Sequence, residues 1–288
     1  MNEDGMLDII SGSYADDDLE EIAGTFQVLW GSGNGAFKPT ERLKGDNGEP
    51  LVIDPGKAKD PDGFKICTRP TLIDWDGDGK LDIVSGNFEG TFALFKGKGK
   101  GVFESKSSWI RAEGKMLKLS EWNSDPVFAD IDSDGDLDLL SGSDGGGVFW
   151  AENKTEDAKV TKFELSSFKT LIEPNGYFLL GKNDEAKPGL NTRIWVDDLN
   201  GDGKTDILLG DTVEFEWVKE GIDKEAYAAW EKEIDAFYES APETDEELAA
   251  LSKTQQEEFR RKQKELWEQE KLFIHTASSG HVWVYYGK

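Results

Sequence analysis

The sequence predicts an all-β repeat protein interrupted by one helical hairpin, and three observations lead there. An acidic, glycine-containing nonapeptide recurs along the chain, and each copy runs into a short apolar stretch that ends in glycine. One segment near the C-terminus alone carries helical periodicity. Short apolar runs bounded by glycine read as buried strands, whereas apolar residues at three- and four-residue spacing read as a helix.

The fullest nonapeptide is Asp74-Trp75-Asp76-Gly77-Asp78-Gly79-Lys80-Leu81-Asp82. Carboxylates stand at positions 1, 3, 5 and 9, with glycine at position 6. Two like charges at about 4 Å repel by roughly 4 kcal/mol at an effective dielectric of about 20, so the loop calls for a counter-charge. Ca2+, a hard cation that takes about six to eight oxygen ligands, supplies it; the glycine permits the turn, and position 7 offers its backbone carbonyl. The candidate ligands of this copy are Asp74, Asp76, Asp78 and Asp82, with Lys80 at position 7. A second copy places Asp130, Asp132, Asp134 and Asp138, with Asp136 at position 7; a third places Asp198, Asn200, Asp202 and Asp206, with Lys204. A clipped copy opens the chain, with Asn2, Asp4 and Asp8 on positions 3, 5 and 9 and Met6 on position 7. The expectation is three well-formed Ca2+ sites and one clipped site.

The residues after the loop exclude an EF-hand, which needs flanking helices and a Glu at position 12. Position 12 is Ser85, Ser141 or Leu209, and the runs Leu81–Gly86, Leu137–Gly142, Thr205–Gly210 and Leu7–Gly12 read as strands. Short apolar segments precede three of the loops, at 69–73, 125–129 and 192–196, and glycine-opened runs follow at 24–30, 90–95 and 147–150. A further strand is expected around Phe37, Phe103 and Phe163. Each unit is then a four-stranded antiparallel meander whose acidic loop joins its first two strands. Units this small cannot bury their faces alone and must stack on their neighbours.

Loop, strand and terminal glycine together resemble the FG-GAP/VCBS repeat of integrin-α-type β-propellers. The resemblance covers most of the chain outside the helical segment, although the spacing between motifs exceeds the roughly 40–50 residues usual for a blade. It implies a β-propeller of four-stranded antiparallel blades, with four repeats visible, in which calcium loops at the blade edges brace the fold and ligands bind elsewhere. The first unit lacks a leading strand and the last a closing one. A four-bladed ring, a segment of a larger propeller, and two chains complementing each other at open edges all remain open.

The last repeat is interrupted. After a strand at 213–218, Asp223 can cap a helix with the stripe Tyr227, Trp230, Ile234, Phe237 and Tyr238. Pro242 breaks it, and Thr244 with Glu247 forms a capping box for a second helix running to about Lys271, with Leu248, Leu251, Phe259, Leu266 and Trp267 inward. Residues 280–287 then restore the missing strand. The domain reading is one propeller or propeller segment over 1–288, with a helical hairpin inserted at 223–271.

Composition narrows the function. The formal charge of −26 argues against nucleic acid, whose binders carry basic patches. No run is apolar enough to insert into a membrane. The single cysteine, Cys67, allows no internal disulfide, and it is expected to be buried in a strand. With two histidines, His275 and His281, and no nucleophile elbow or phosphate loop, the chain is expected not to be an enzyme. The function expected is a non-catalytic Ca2+-binding propeller for protein or glycan recognition or adhesion, extracellular or periplasmic; its signal peptide is not in this chain, which begins within a motif. Trp122, Trp217 and Trp283 are candidates to stack on sugars. The alternatives are an enzyme on a propeller scaffold, such as a Ca2+-dependent polysaccharide lyase or hydrolase, and a scaffold subunit docking through its hairpin.

Overall fold

The computed structural model describes residues 1–16, 19, 21–56, 62–155, 163–174, 188–242 and 244–287. It is mostly antiparallel β-structure, and the chain falls into two compact units. The first comprises Met1–Phe178, Lys187–Val213 and Gly280–Lys288; the second contains Glu214–Ser279.

Four sheets follow one another through the first unit. The first holds Ile9–Gly12, Phe26–Leu29 and Glu41–Arg42. The second is a meander of Arg69–Ile73, Asp82–Gly86, Phe92–Phe95 and Ser108–Trp109, and the third repeats it with Asp125–Ala129, Asp138–Gly142, Val148–Ala151 and Lys169–Ile172. The fourth pairs Leu190–Asp197 with the start of the long strand Asp206–Val218, whose Ile207–Gly210 stretch also pairs with Val282–Tyr285. The acidic loops join the first two strands of the second, third and fourth sheets, as expected.

The outermost strands differ from expectation. Phe103 lies in a small separate hairpin of Gly97–Gly99 with Val102–Phe103, and the sheet's last strand comes later, at Ser108–Trp109. Gly99, Lys100 and Gly101 all take positive φ, which turns the chain back before it can join the sheet. Phe37 likewise sits in a hairpin of Gly31–Gly33 with Ala36–Phe37, and Phe163 precedes its strand as packing for the core.

Period-two alternation explains the core. In the second sheet Ile83, Ala93 and Phe95 point to one face, where they meet Phe26 and Val28 of the first sheet. Val84, Phe92 and Leu94 point to the other, where they meet Leu139, Phe149 and Ala151 of the third. Leu140 and Val148, on the third sheet's far face, meet Ile194, Ile207 and Leu209 of the fourth. Middle sheets are thus covered on both faces, which is why their strands read as continuous apolar runs.

A recurrent clasp holds successive sheets together. A hydroxyl residue six positions before each full loop, Thr68, Ser124 or Thr192, reaches the preceding sheet. Its oxygen accepts the N–H of Ser13 (3.0 Å), Asn87 (3.0 Å) or Ser143 (2.9 Å) and donates to the carbonyl of Thr25 (2.9 Å), Thr91 (2.6 Å) or Gly147 (2.7 Å). All three hydroxyl residues are buried. Beside each clasp lies the glycine that ends the loop's strand. A Cβ on Gly12, Gly86 or Gly142 would stand 1.8, 2.0 or 2.3 Å from the carbonyl oxygen of Thr68, Ser124 or Thr192. At Gly210, which has no following sheet, the nearest atom is 4.0 Å away.

The second unit is built on the far half of the long strand, which pairs with Ile274–Ser279. That strand was not anticipated: its sequence is polar and lacks alternation. The strand expected at 213–218 is thus the continuation of 206–210 and pairs with Ile274–Ser279, whereas Val282–Tyr285, the strand expected within 280–287, pairs with Ile207–Gly210. Asp223 caps the Lys224–Glu239 helix by accepting the N–H groups of Glu225 and Ala226. The second helix is two: Thr244 caps a short helix Asp245–Ala250, and Ser252 with Gln255 forms a capping box for Lys253–Phe273. The Ser252 hydroxyl accepts the Gln255 N–H and donates to its side-chain oxygen, and this cap restarts the helix. Trp230 and Leu266 are buried, the Trp230 indole donates to the Leu266 carbonyl (3.2 Å), and Phe237 stacks on Phe259 at 5.0 Å. The two long helices thus pack on each other through part of their stripes, whereas Tyr238 and Trp267, expected to face inward, are more than half exposed.

The clasp yields a comparison. Gly86→Ala and Gly142→Ala are each expected to cost about 1–3 kcal/mol or more, because backbone on both sides must move. Gly210→Ala should be close to neutral. Urea unfolding of the three variants reads the difference directly.

Candidate metal loops

The four acidic loops fold by one rule. Position 6 takes positive φ in each, at Gly5, Gly79, Gly135 and Gly203, and so does position 4, at Glu3, Gly77, Ser133 and Gly201. Sequence reading found only the former. Position 4 escapes notice because its residue type varies, and Ser133 and Glu3 are held in a conformation that favours glycine.

These turns let the carboxylates cap the loop's own N–H groups. Asp74 accepts from Gly77 (2.8 Å) and Gly79 (2.9 Å), Asp130 from Asp134 and Gly135 (both 3.1 Å), and Asp198 from Gly201 (2.7 Å), Asp202 (3.0 Å) and Gly203 (2.9 Å). Position 5 accepts from position 7 in every copy: Asp4 from Met6, Asp78 from Lys80, Asp134 from Asp136, and Asp202 from Lys204. The N–H groups draw the carboxylates inward, and the oxygens of positions 1, 3 and 5 converge. Among the described residues, Asp74, Asp76 and Asp78 form one group with oxygens within 4.8 Å of one another, and Asp130, Asp132 and Asp134 form another. Either triad can hold a metal ion. In the fourth-sheet loop Asn200 takes position 3, its carbonyl accepting from Asp202 (2.8 Å), while Asn2 does the same for Asp4 (3.1 Å).

Position 9 has a second task. Asp82, Asp138 and Asp206 each accept one N–H from position 2 of their loop, Asp8 accepts one from Asn2 at position 3, and all four accept another from the residue two past the end of the strand across the sheet. The latter come from Gly31 (2.9 Å), Gly97 (2.6 Å), Asn153 (2.7 Å) and Gly287 (2.8 Å). Asp82, Asp138 and Asp206 are buried. These aspartates tie each loop to its sheet and fall outside both triads.

The two triads differ in counter-charge. Lys96 donates to Asp76 (2.8 Å) and Asp82 (3.1 Å), and Lys80 to Asp78 (2.6 Å). In the third sheet the residue matching Lys96 is Glu152, and burial together with Asp134, Asp132 and Asp130 pushes the Asp136 carboxyl up to about 6. Burial also pushes Asp138 to about 6, against the pull of the N–H groups of Asn153 and Ile131.

The inner strands of the four sheets line a separate groove of about 400 Å3, with Ser11, Arg69, Asp125 and Arg193 on its walls. Cys67 opens onto it, half-buried, with φ of 60° ahead of the strand, and its sulfur accepts from Arg69 at 3.3 Å; the expectation of a buried strand thiol is corrected. Trp122 is half exposed and packs edge-on against Phe88, whereas Trp283 packs on the third core cluster and donates to Asp211 (2.8 Å).

A family model for FG-GAP-like repeats matches residues 74–141, from the first aspartate of the second-sheet loop to the strand after the third-sheet loop. No curated protein sequence matches the chain. The matched stretch contains both carboxylate triads.

Two outcomes follow from the loops. Asp136 and Asp138 bind protons more tightly folded than unfolded, so their contribution to stability is complete below about pH 4 and is lost as pH rises through about 6. In chelator, melting temperature measured against pH should fall across that window; Asp136→Asn should flatten the slope, and excess Ca2+ should remove it. Ser133→Gly, by relieving a left-handed serine, should raise stability by roughly 1 kcal/mol in denaturant titration.

Proposed function

We propose that the four-sheet unit is a calcium-braced, propeller-type recognition module that binds a protein or glycan and performs no chemistry of its own. The observation that carries this reading is the convergence of Asp74, Asp76 and Asp78, and of Asp130, Asp132 and Asp134, within 4.8 Å on loops with one shared turn geometry. An all-oxygen, anionic donor set suits a hard cation, and mixed spacing with backbone carbonyls suits Ca2+ over the stricter octahedron of Mg2+. Asp74, Asp76 and Asp78 with the Lys80 carbonyl would hold one ion, and Asp130, Asp132 and Asp134 with that of Asp136 another. Asp198, Asn200 and Asp202 with Lys204 would hold a third, and the clipped Asn2, Asp4 and Met6 loop a weak fourth. The bound ion neutralises carboxylates that otherwise repel, and so fixes the link between first and second strands.

Successive stacking of four-stranded meanders, with an FG-GAP-like match across two of them, supports blades of a propeller. Loops this exposed bind calcium weakly and fill where the free ion is plentiful, which favours an extracellular or periplasmic setting. The central groove, with Arg69 and Arg193, and the surface around Trp122 are the places offered for a partner. The helical insertion at 223–271 is read as an accessory to this module.

Calorimetric titration of chelator-treated protein should find three Ca2+ per chain and a weaker fourth; zero or one would sink the reading. Each site at tenfold saturation adds about 1.4 kcal/mol, so calcium should raise the melting temperature, and Asp134→Ala should blunt that rise without unfolding the chain.

A further inference from the structure

We infer that the outer faces of the first and fourth sheets are the two halves of one interface, and that a second copy of this chain fills it head to tail. The inference rests on the propeller reading above and concerns how the blades are completed.

The three internal interfaces define what a covered sheet looks like. Opposite the strand-ending glycine stands an apolar residue that points at the next sheet: Phe26 opposite Gly12, Phe92 opposite Gly86, Val148 opposite Gly142. All three are 0% exposed. In the fourth sheet the same register position, opposite Gly210, holds Val282, and it is 69% exposed. Two residues on, Val28 and Leu94 are buried, whereas Val284 is 42% exposed. Trp195 shares a cross-strand row with Leu208 and Val284 and is 61% exposed. The fourth sheet therefore keeps an apolar face at the positions that elsewhere lie beneath a neighbour.

The first sheet carries the reciprocal face. Ile83, Leu139 and Ile207, which receive the preceding sheet, are buried; Ile9 occupies that position in the first sheet and is 46% exposed. Leu29 pairs with it across the strand, half-buried. Both faces lie open in one chain, and no strand pairing joins the two sheets among the described residues. A second copy brings the missing half of each. The interface is heterologous, and two such contacts close into a ring of eight sheets, within the range of about four to eight blades that propellers use. Burial of Trp195, Val282, Val284 and Ile9 supplies the driving force, as in the internal interfaces.

The test is the mass of the full chain in calcium, by sedimentation across a dilution series. The expected result is a dimer that dissociates on dilution. Val282→Glu and Ile9→Glu, each at an exposed position and so compatible with folding, should each give monomers; Trp195→Lys is the second variant of the fourth-sheet face. An equimolar mixture of Val282→Glu and Ile9→Glu should recover dimer, because one intact heterologous contact remains in the mixed pair. A wild-type monomer, a dimer indifferent to these substitutions, failure of the mixture to recover, or an open-ended series of larger species would overturn the inference. A monomer with Trp195 shielded from a soluble quencher would assign the face to another part of the same chain. A monomer that still gains thermal stability with calcium would overturn the dimer and leave the calcium reading standing; loss of the calcium response would instead strike that reading.

Discussion

The contact between a strand-ending glycine and the backbone of the next sheet sets the geometry on which the rest depends. With a carbonyl oxygen at the place where a side chain would begin, Gly12, Gly86 and Gly142 let two backbones touch. The neighbouring hydroxyl then satisfies polar groups that such close approach removes from water. Thr68, Ser124 and Thr192 each accept one N–H and donate to one carbonyl, so the contact leaves no buried donor orphaned. Once this end of each sheet is fixed, the alternation of the strands decides which apolar side chains meet, and the three core clusters follow.

The acidic loops sit on this frame and use its aspartates for two purposes. Position 9 belongs to the sheet: bonded to N–H groups from two directions, and buried at Asp82, Asp138 and Asp206, it ties the loop down through the chain's own groups. Positions 1, 3 and 5 belong to the solvent side and gather charge. In the second sheet Lys80 and Lys96 answer part of that charge from within the chain. The third sheet has no equivalent lysine and carries Asp136 and Glu152 in addition, so its carboxyls are pushed toward protonation. One motif thus gives two sites of different electrostatic demand, and the difference comes from position 7 of the loop and from the residue just past the strand opposite it.

Sequence by itself determined the repeat, the loops and the kind of element that follows them, because each is a local matter. Alternating aspartates with Gly79, Gly135 or Gly203 specify a tight turn, and the apolar runs after them specify strands buried on both faces. Asp223 and the Trp230 stripe specify the helix and its inward side in the same local way. Tertiary structure alone decided what depends on the neighbour. Phe103 looked like a strand residue, yet three successive positive-φ residues put it in a hairpin. Ile274–Ser279 became a strand only because the long strand from Asp206 offered it an unpaired edge. The clasp of Thr68, Ser124 and Thr192 was in plain view as a hydroxyl six residues before each loop, but its partners lie about one sheet earlier in the chain. Lys96 became a counter-ion because strand pairing carried it over Asp76 and Asp82. Local sequence encodes what a residue does with its own turn; which charges and faces it meets is settled when sheets stack, because that pairs residues far apart in the chain.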